Sequence, residues 1–198
     1  MNTREAIAAR RSIRRFKPDP IPEEALQAIL LAGTQAPSGK NKQPWRFMVV
    51  QGEARAEMVE VMRQGIDKMV AQGEGVGSAE GSARIMAEAP VTVFVFNPGG
   101  LRPWLARSID QMFTDLVDIQ SIGAAIQNML LAALDLGLGS LWICDVFYAY
   151  EELCDWLDQS GQMVAAVSFG HPDESPPARP RRPVAQVTRE WGVGALER

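Results

Sequence analysis

The sequence predicts an α+β fold in which helices dominate. Three observations predict it. Apolar residues recur at helical spacing over long stretches, above all across residues 108–136. Short apolar runs at 47–50, 91–96 and 163–169 read as strands, three or four in all, separated by long helical connections. No regular strand–helix alternation appears, so a doubly wound parallel sheet is not indicated. A chain of 198 residues fits one domain, residues 1–198, with a substantial core.

The elements follow in order. Asn2 or Thr3 can cap a first helix, with Glu5 in its first turn and Ala6, Ile7 and Ala9 as a small apolar face. It runs into Arg10 and Arg11. PDPIP is a stop and a rigid turn. Residues 23–34 repeat Leu26, Ile29, Leu30 and Gly33 at helical spacing. APSGKNKQPW is a polar loop before the 47–50 strand, and 53–69 is an amphipathic helix. Residues 71–82 are rich in Gly and Ser and read as a mobile loop. The 91–96 strand is bounded by Pro90 and NPGG.

The 108–136 helix carries a stripe of Ile109, Met112, Leu116 and Ile119, continued by Ile122, Ile126, Met129 and Ala133. It is apolar over most of its surface, which implies burial and a subunit interface as well as a core. After LGLGSLWICD, residues 151–158 form a short helix and 163–169 a strand. A proline-rich stretch, HPDESPPARPRRPV, ends the organised pattern, and its run 184–187 is β-prone.

Charge is unevenly placed. Net charge is −4, yet five of the eight residues from Arg10 to Lys17 are positive, and Arg179, Arg181 and Arg182 form a second basic cluster. The acidic balance and a pI near 5.1 argue against a chain that coats nucleic acid or anionic membrane. No apolar run reaches the length of a membrane span. Two cysteines, Cys144 and Cys154, and the lack of a secretory pattern in the first residues lead to the expectation of a cytoplasmic protein without a disulfide framework. Of 20 Lys+Arg only 4 are Lys, and Arg is preferred where a planar bidentate donor meets phosphate or carboxylate. If the fold joins the two clusters, their guanidinium groups repel one another without an anion between them. A phosphate monoester suits them, with Ser12 as an added donor.

Two nucleotide motifs nearly occur. GTQAPSGKN has one residue too many between its glycines for a P-loop and places Asn41 where Ser or Thr holds magnesium. GLGSLW puts Trp142 where a dinucleotide fingerprint has its last glycine. Both are rejected. Asp110, Asp115 and Asp118 share no face with other ligands, so no metal site is expected.

RRSIRRF, APSGKNKQPWRF, GAAIQNMLLAALDLGLGSLWI and SFGHPDESPPARPRRPV together resemble the nitroreductase family of FMN-dependent oxidoreductases. The segments occur in family order and spacing, and cover most of the chain outside 60–110. The resemblance implies a nitroreductase-like fold: a central mixed, mostly antiparallel sheet flanked by helices, in an intertwined homodimer. It implies that Arg10 and Ser12 bind the FMN phosphate, with Arg11 beside the phosphate or ribityl chain. Arg14 would reach the N1/C2 side of the flavin, and Arg179 and Arg181 would close on the phosphate. A fixed guanidinium near N1 stabilises negative charge on reduced flavin. Pro37, Ser38, Asn41 and Gln43 would reach the flavin of the other subunit. In LWICD, Trp142 and Ile143 would line the flavin face, and a backbone amide near Cys144 would donate to N5. The thiol of Cys144 reads as packed rather than reactive, and no catalytic side chain is required, because the flavin carries the chemistry.

The implied activity is hydride transfer from NADPH or NADH, through FMN, to a small electron-poor acceptor such as a nitroaromatic or quinone. A non-catalytic FMN-binding module is the alternative, as is a relative with another flavin reaction: dehydrogenation, dehalogenation or flavin fragmentation.

Overall fold

The computed structural model describes residues 1–191; the last seven residues of the expected 1–198 domain lie outside the described residues. Helix α1 (Thr3–Ala9) begins in a capping box: the Asn2 side chain accepts from the Glu5 backbone N–H, and the Glu5 carboxylate accepts from that of Asn2, each at 3.0 Å. Helix α2 (Glu23–Thr34) occupies the expected range. Strand β1 (Arg46–Gln51), helix α3 (Ala54–Ala71), helix α4 (Ala79–Glu88) and strand β2 (Val91–Asn97) lead into helix α5 (Ile109–Asp135). Strand β3 (Gly139–Ile143), helix α6 (Tyr150–Trp156), strand β4 (Gln162–Gly170) and helix α7 (Val184–Val187) complete the order.

The four strands lie in the order β1-β2-β4-β3, and every pair is antiparallel. Among the described residues the one parallel feature is an isolated bridge between Ser12 and Ser140. Strand β2 is buried throughout, so side-chain alternation feeds two cores. Val91, Val93 and Val95 pack with α2 and α5; Phe94 and Phe96 pack with α3, α4 and the turn after β3. A bulge keeps β4 in step. Val95 pairs with Ala165 but Phe96 pairs with Met163, so Val164 is the extra residue. Met163 and Ala166, three apart, thereby enter the same core as Phe96.

Three expectations need correction. Residues 71–82 are not one loop: only 72–78 are, because Ala79, Ala83, Ile85 and Met86 give α4 a buried face that its small residues concealed. Residues 184–187 form a short helix rather than a strand. The third concerns α5. Its C-terminal half is core, with Ile122, Ile126, Met129 and Ala133 all fully buried within this chain, so Ile126 is not a surface for another subunit.

The N-terminal half of α5 is inverted. Ile109, Met112, Phe113, Leu116 and Val117 face solvent, while Asp115 and Asp118 face inward. Each buried acid has a cation: Arg107 Nε lies 2.8 Å from Asp115 and Lys42 Nζ 2.5 Å from Asp118. By length and composition α5 qualifies as a bilayer span, contrary to the expectation, but its apolar C-terminal half is spent on the core of this chain.

Candidate functional site

Helix α1 stops at Ala9 because Arg10 turns to φ −55°, ψ 131°. The Arg11 guanidinium then donates to the carbonyls of Ala8 (2.7 Å) and Arg10 (2.9 Å), closing the helix end. From there the basic segment runs extended. Ile13 N–H donates to the Ser140 carbonyl at 3.0 Å, and Lys17 N–H to that of His171 at 2.9 Å. Asp173 N–H donates to the Arg15 carbonyl at 2.9 Å, and Arg14 N–H donates to the Glu174 carboxylate. Gly139 is required here, since a Cβ would meet Ile13 Cγ1 at 2.9 Å.

These bonds lay the segment after β4 beside the segment after α1, and the two arginine clusters meet. Arg10, Arg11, Ser12, Arg14, Arg179 and Arg181 line one cavity of about 850 Å³, with Ile7, Ala8 and Pro176 completing its wall. Burial pushes the Arg10 guanidinium below its ordinary pKa, and the nearby charges of Arg181 and Arg11 push it further. Among the described residues none of the five lining arginines has a carboxylate within ion-pair distance; Arg15, outside the cavity, lies 4.0 Å from Asp173. Several guanidinium groups that repel one another, with a hydroxyl among them, are suited to a phosphate dianion.

The structure leaves the other expected residues outside this cavity. Pro37, Ser38, Asn41 and Gln43 sit in the loop before β1, which contains a single 3-10 turn, Gly39–Asn41. Lys40, Asn41 and Gln43 have positive φ, and Gln43 N–H donates to Ser38 Oγ at 2.9 Å. Trp142 is 37% exposed, on the face of the edge strand β3 that looks toward α5, where a Cβ at Gly123 would lie 3.8 Å from its ring. Ile143, next along the strand, must point the other way; it is buried among the α3 and α4 residues, so its side chain does not line a surface with Trp142. Cys144, expected to be packed, has its thiol exposed at the strand end. Though exposed to solvent, the thiol is partly shielded by surrounding protein; that partial desolvation and then the Asp145 charge raise its pKa, so it is no activated nucleophile.

Sequence reasoning missed two carboxylates. Asp145 accepts from the hydroxyls of both Ser78 and Ser82 at 2.6 Å, which ties the start of α4 to the LWICD segment. Glu174 fixes the backbone of Arg14. Its signal was an acid standing in a basic, proline-rich stretch.

A family model described as the nitroreductase family matches residues 7–171. The nitroreductase NfnB of Mycolicibacterium smegmatis is 26% identical over 92% of this chain and 90% of its own. A Desulfovibrio desulfuricans protein, solved in complex with FMN, is 31% identical with a TM-score of 0.74, covering 96% of this chain and 98% of its own. The crystal structure of NfnB from Mycobacterium smegmatis, in complex with NADPH, shares the fold with a TM-score of 0.72 at 19% identity, covering 95% and 97% of the two chains. The family match spans most of the chain, and a relative solved with FMN is similar over nearly its whole length: the chain belongs to the nitroreductase family.

Proposed function

We propose that the chain is an FMN-dependent oxidoreductase that takes hydride from NADPH or NADH and passes it to a small electron-poor acceptor, a nitroaromatic or a quinone. The observation that carries the reading is the joining of Arg10, Arg11, Ser12, Arg14, Arg179 and Arg181 around one cavity. Their donor set fits a phosphate monoester, and relatives with this fold were solved with FMN and with NADPH.

FMN, when bound, supplies the hydride chemistry. Arg10, Ser12, Arg179 and Arg181 hold its phosphate, with Arg11 beside them and fixed against α1. Arg14, whose backbone N–H is held by the Glu174 carboxylate, would supply positive charge to the flavin ring. The end of β3 offers Trp142 as an exposed face and a backbone N–H near Cys144 as a donor; Ile143 contributes only main chain. Donor and acceptor take turns in one pocket, which gives ping-pong kinetics.

The active unit is a homodimer. The exposed apolar row of Ile109, Met112, Phe113 and Leu116 supports this, being a surface that a solitary chain leaves in water. In the dimer the loop 37–43 completes the flavin site of the other subunit.

The test is anaerobic titration of the purified protein with NADH and NADPH, following the flavin band, after acid extraction has identified the flavin. Bleaching by either nucleotide and recovery with a quinone are expected. A protein that holds FMN but is not reduced by either nucleotide is a binding module, and a protein without FMN at micromolar supply defeats the proposal.

A further inference from the structure

Asp118 is a buried acid in the first half of α5, only 2% exposed. Burying an ionised carboxylate is costly unless it is paired and hydrogen-bonded. Its partners are Lys42 Nζ at 2.5 Å and, more distantly, Asn97 Nδ2 at 3.4 Å. Lys42 comes from the loop 37–43, and it is half exposed, so the acid lies under the loop rather than beside it. A second contact seats the same loop on the same helix. A Cβ at Gly39 would meet Val117 Cγ1 at 2.6 Å, so the loop backbone lies directly on α5. Three of its residues, Lys40, Asn41 and Gln43, are held at positive φ, a conformation that Asn adopts readily but that is uncommon for Lys and Gln.

The outward face of this half of α5 is the apolar row, and its inward face is the clamp on the loop. The helix therefore joins two things that the function requires together: the surface between subunits and the loop that completes the flavin site.

We infer that Asp118 is a positioning residue for FMN, acting through Lys42 to hold the loop 37–43 in the shape in which Ser38, Asn41 and Gln43 meet the cofactor. The inference rests on the function proposed above. Asp118 itself touches neither cofactor nor substrate; it anchors the far end of the loop, at Lys42, next to the residues held at positive φ.

The experiment measures FMN release from the holoenzyme on dilution, by the fluorescence of freed flavin. Asp118→Asn and Lys42→Met should each speed release about tenfold or more, which corresponds to about 1.4 kcal/mol. The double variant should release no faster than the worse single variant, because both changes break one contact. Asp118→Glu, which keeps the charge, should restore most of the retention. Gly39→Ala alters no charge but lifts the loop from Val117, and should also speed release. Asp110→Asn, an exposed acid about two turns away from the clamp on the same helix, should change nothing. If Asp118→Asn does not fold, Lys42→Met and Gly39→Ala decide the matter. Release at the unaltered rate in those two variants overturns the inference, as does strict additivity of the Asp118 and Lys42 effects. An unaltered protein that holds no FMN overturns this inference together with the proposed function, whereas FMN retained equally by all variants overturns this inference alone.

Discussion

Arg10 and Arg181 show how two residues 171 positions apart can be made to need a ligand. Each guanidinium raises the cost of the other, and burial adds to it. An anion between them relieves both, so the flavin-free protein should gain stability with phosphate. At a concentration a hundred times the dissociation constant the gain is about 2.7 kcal/mol. A thermal melt in phosphate against chloride of equal ionic strength measures it; identical midpoints would mean that the cavity is not an anion site. Arg10→Ala and Arg181→Ala should each weaken FMN binding by about 1.5–3 kcal/mol, the worth of a charge-assisted hydrogen bond. Arg14→Ala should instead lower the flavin reduction potential more than the affinity. Equal effects on both properties in all three variants would contradict these separate roles.

Tyr150 carries a different residue-scale prediction. Its hydroxyl oxygen accepts the Met163 N–H at 2.8 Å, and burial pushes its pKa up to about 12. Burial likewise pushes the Cys154 thiol up to about 11. Both groups are acids that lose a proton more readily in the unfolded chain. As pH rises, the unfolded state gives up these protons first and is favoured, so stability falls between the unfolded and folded values. The window opens near pH 9 for Cys154 and runs to about pH 12 for Tyr150. Urea melts at stepped alkaline pH should show the decline. Tyr150→Phe should flatten its upper part while costing about 1–3 kcal/mol at neutral pH, because the Met163 N–H is left buried and unpaired.

At the scale of the element, α4 and the loop before it are held at one point. Asp145 receives both Ser78 and Ser82, and its neighbour Cys144 ends the strand that faces the proposed flavin. The loop 72–78 has few apolar anchors, with Val76 the only partly buried member of the core beside it. Asp145→Ala should therefore free the loop while leaving α4 packed through Ala79, Ala83 and Met86. The expected result is an altered KM for the acceptor with FMN content unchanged. Release of FMN from that variant would show that the latch supports the cofactor site and not its border.

At the scale of the molecule, the two halves of α5 differ: one presents an apolar row to solvent, the other is core, and the proposed dimer pairs through the first. Leu116→Glu places a charge on the exposed row and should convert dimers to monomers with loss of FMN, since neither flavin site is then complete. Ile126→Asp is a different experiment: it puts an unpaired charge into the core of one chain and should prevent folding, at a cost of several kcal/mol. Light scattering and circular dichroism together separate the outcomes. A monomeric unaltered protein with full FMN content would refute the dimer.

Much of this architecture was legible in the chain itself. The helical spacing of Leu26, Ile29 and Gly33 placed α2, and Ser108 and Leu136 were recognisable as the ends of α5, because backbone capping and apolar periodicity are local properties. The basic residues around Ser12 stood out as a candidate anion site by composition alone. What the chain could not state was which apolar surfaces meet. Periodicity gave Leu116 and Ile126 the same stripe, yet one is exposed and the other buried, since burial depends on what α2 and the sheet cover. The small residues of α4 carried too weak a pattern to be distinguished from a loop. Strand alternation, not composition, turned Ile143 inward. Only the tertiary structure brought Arg10 to Arg181 and Lys42 to Asp118, because such pairs lie far apart in the chain and are joined by the return path of the backbone, which no local signal encodes.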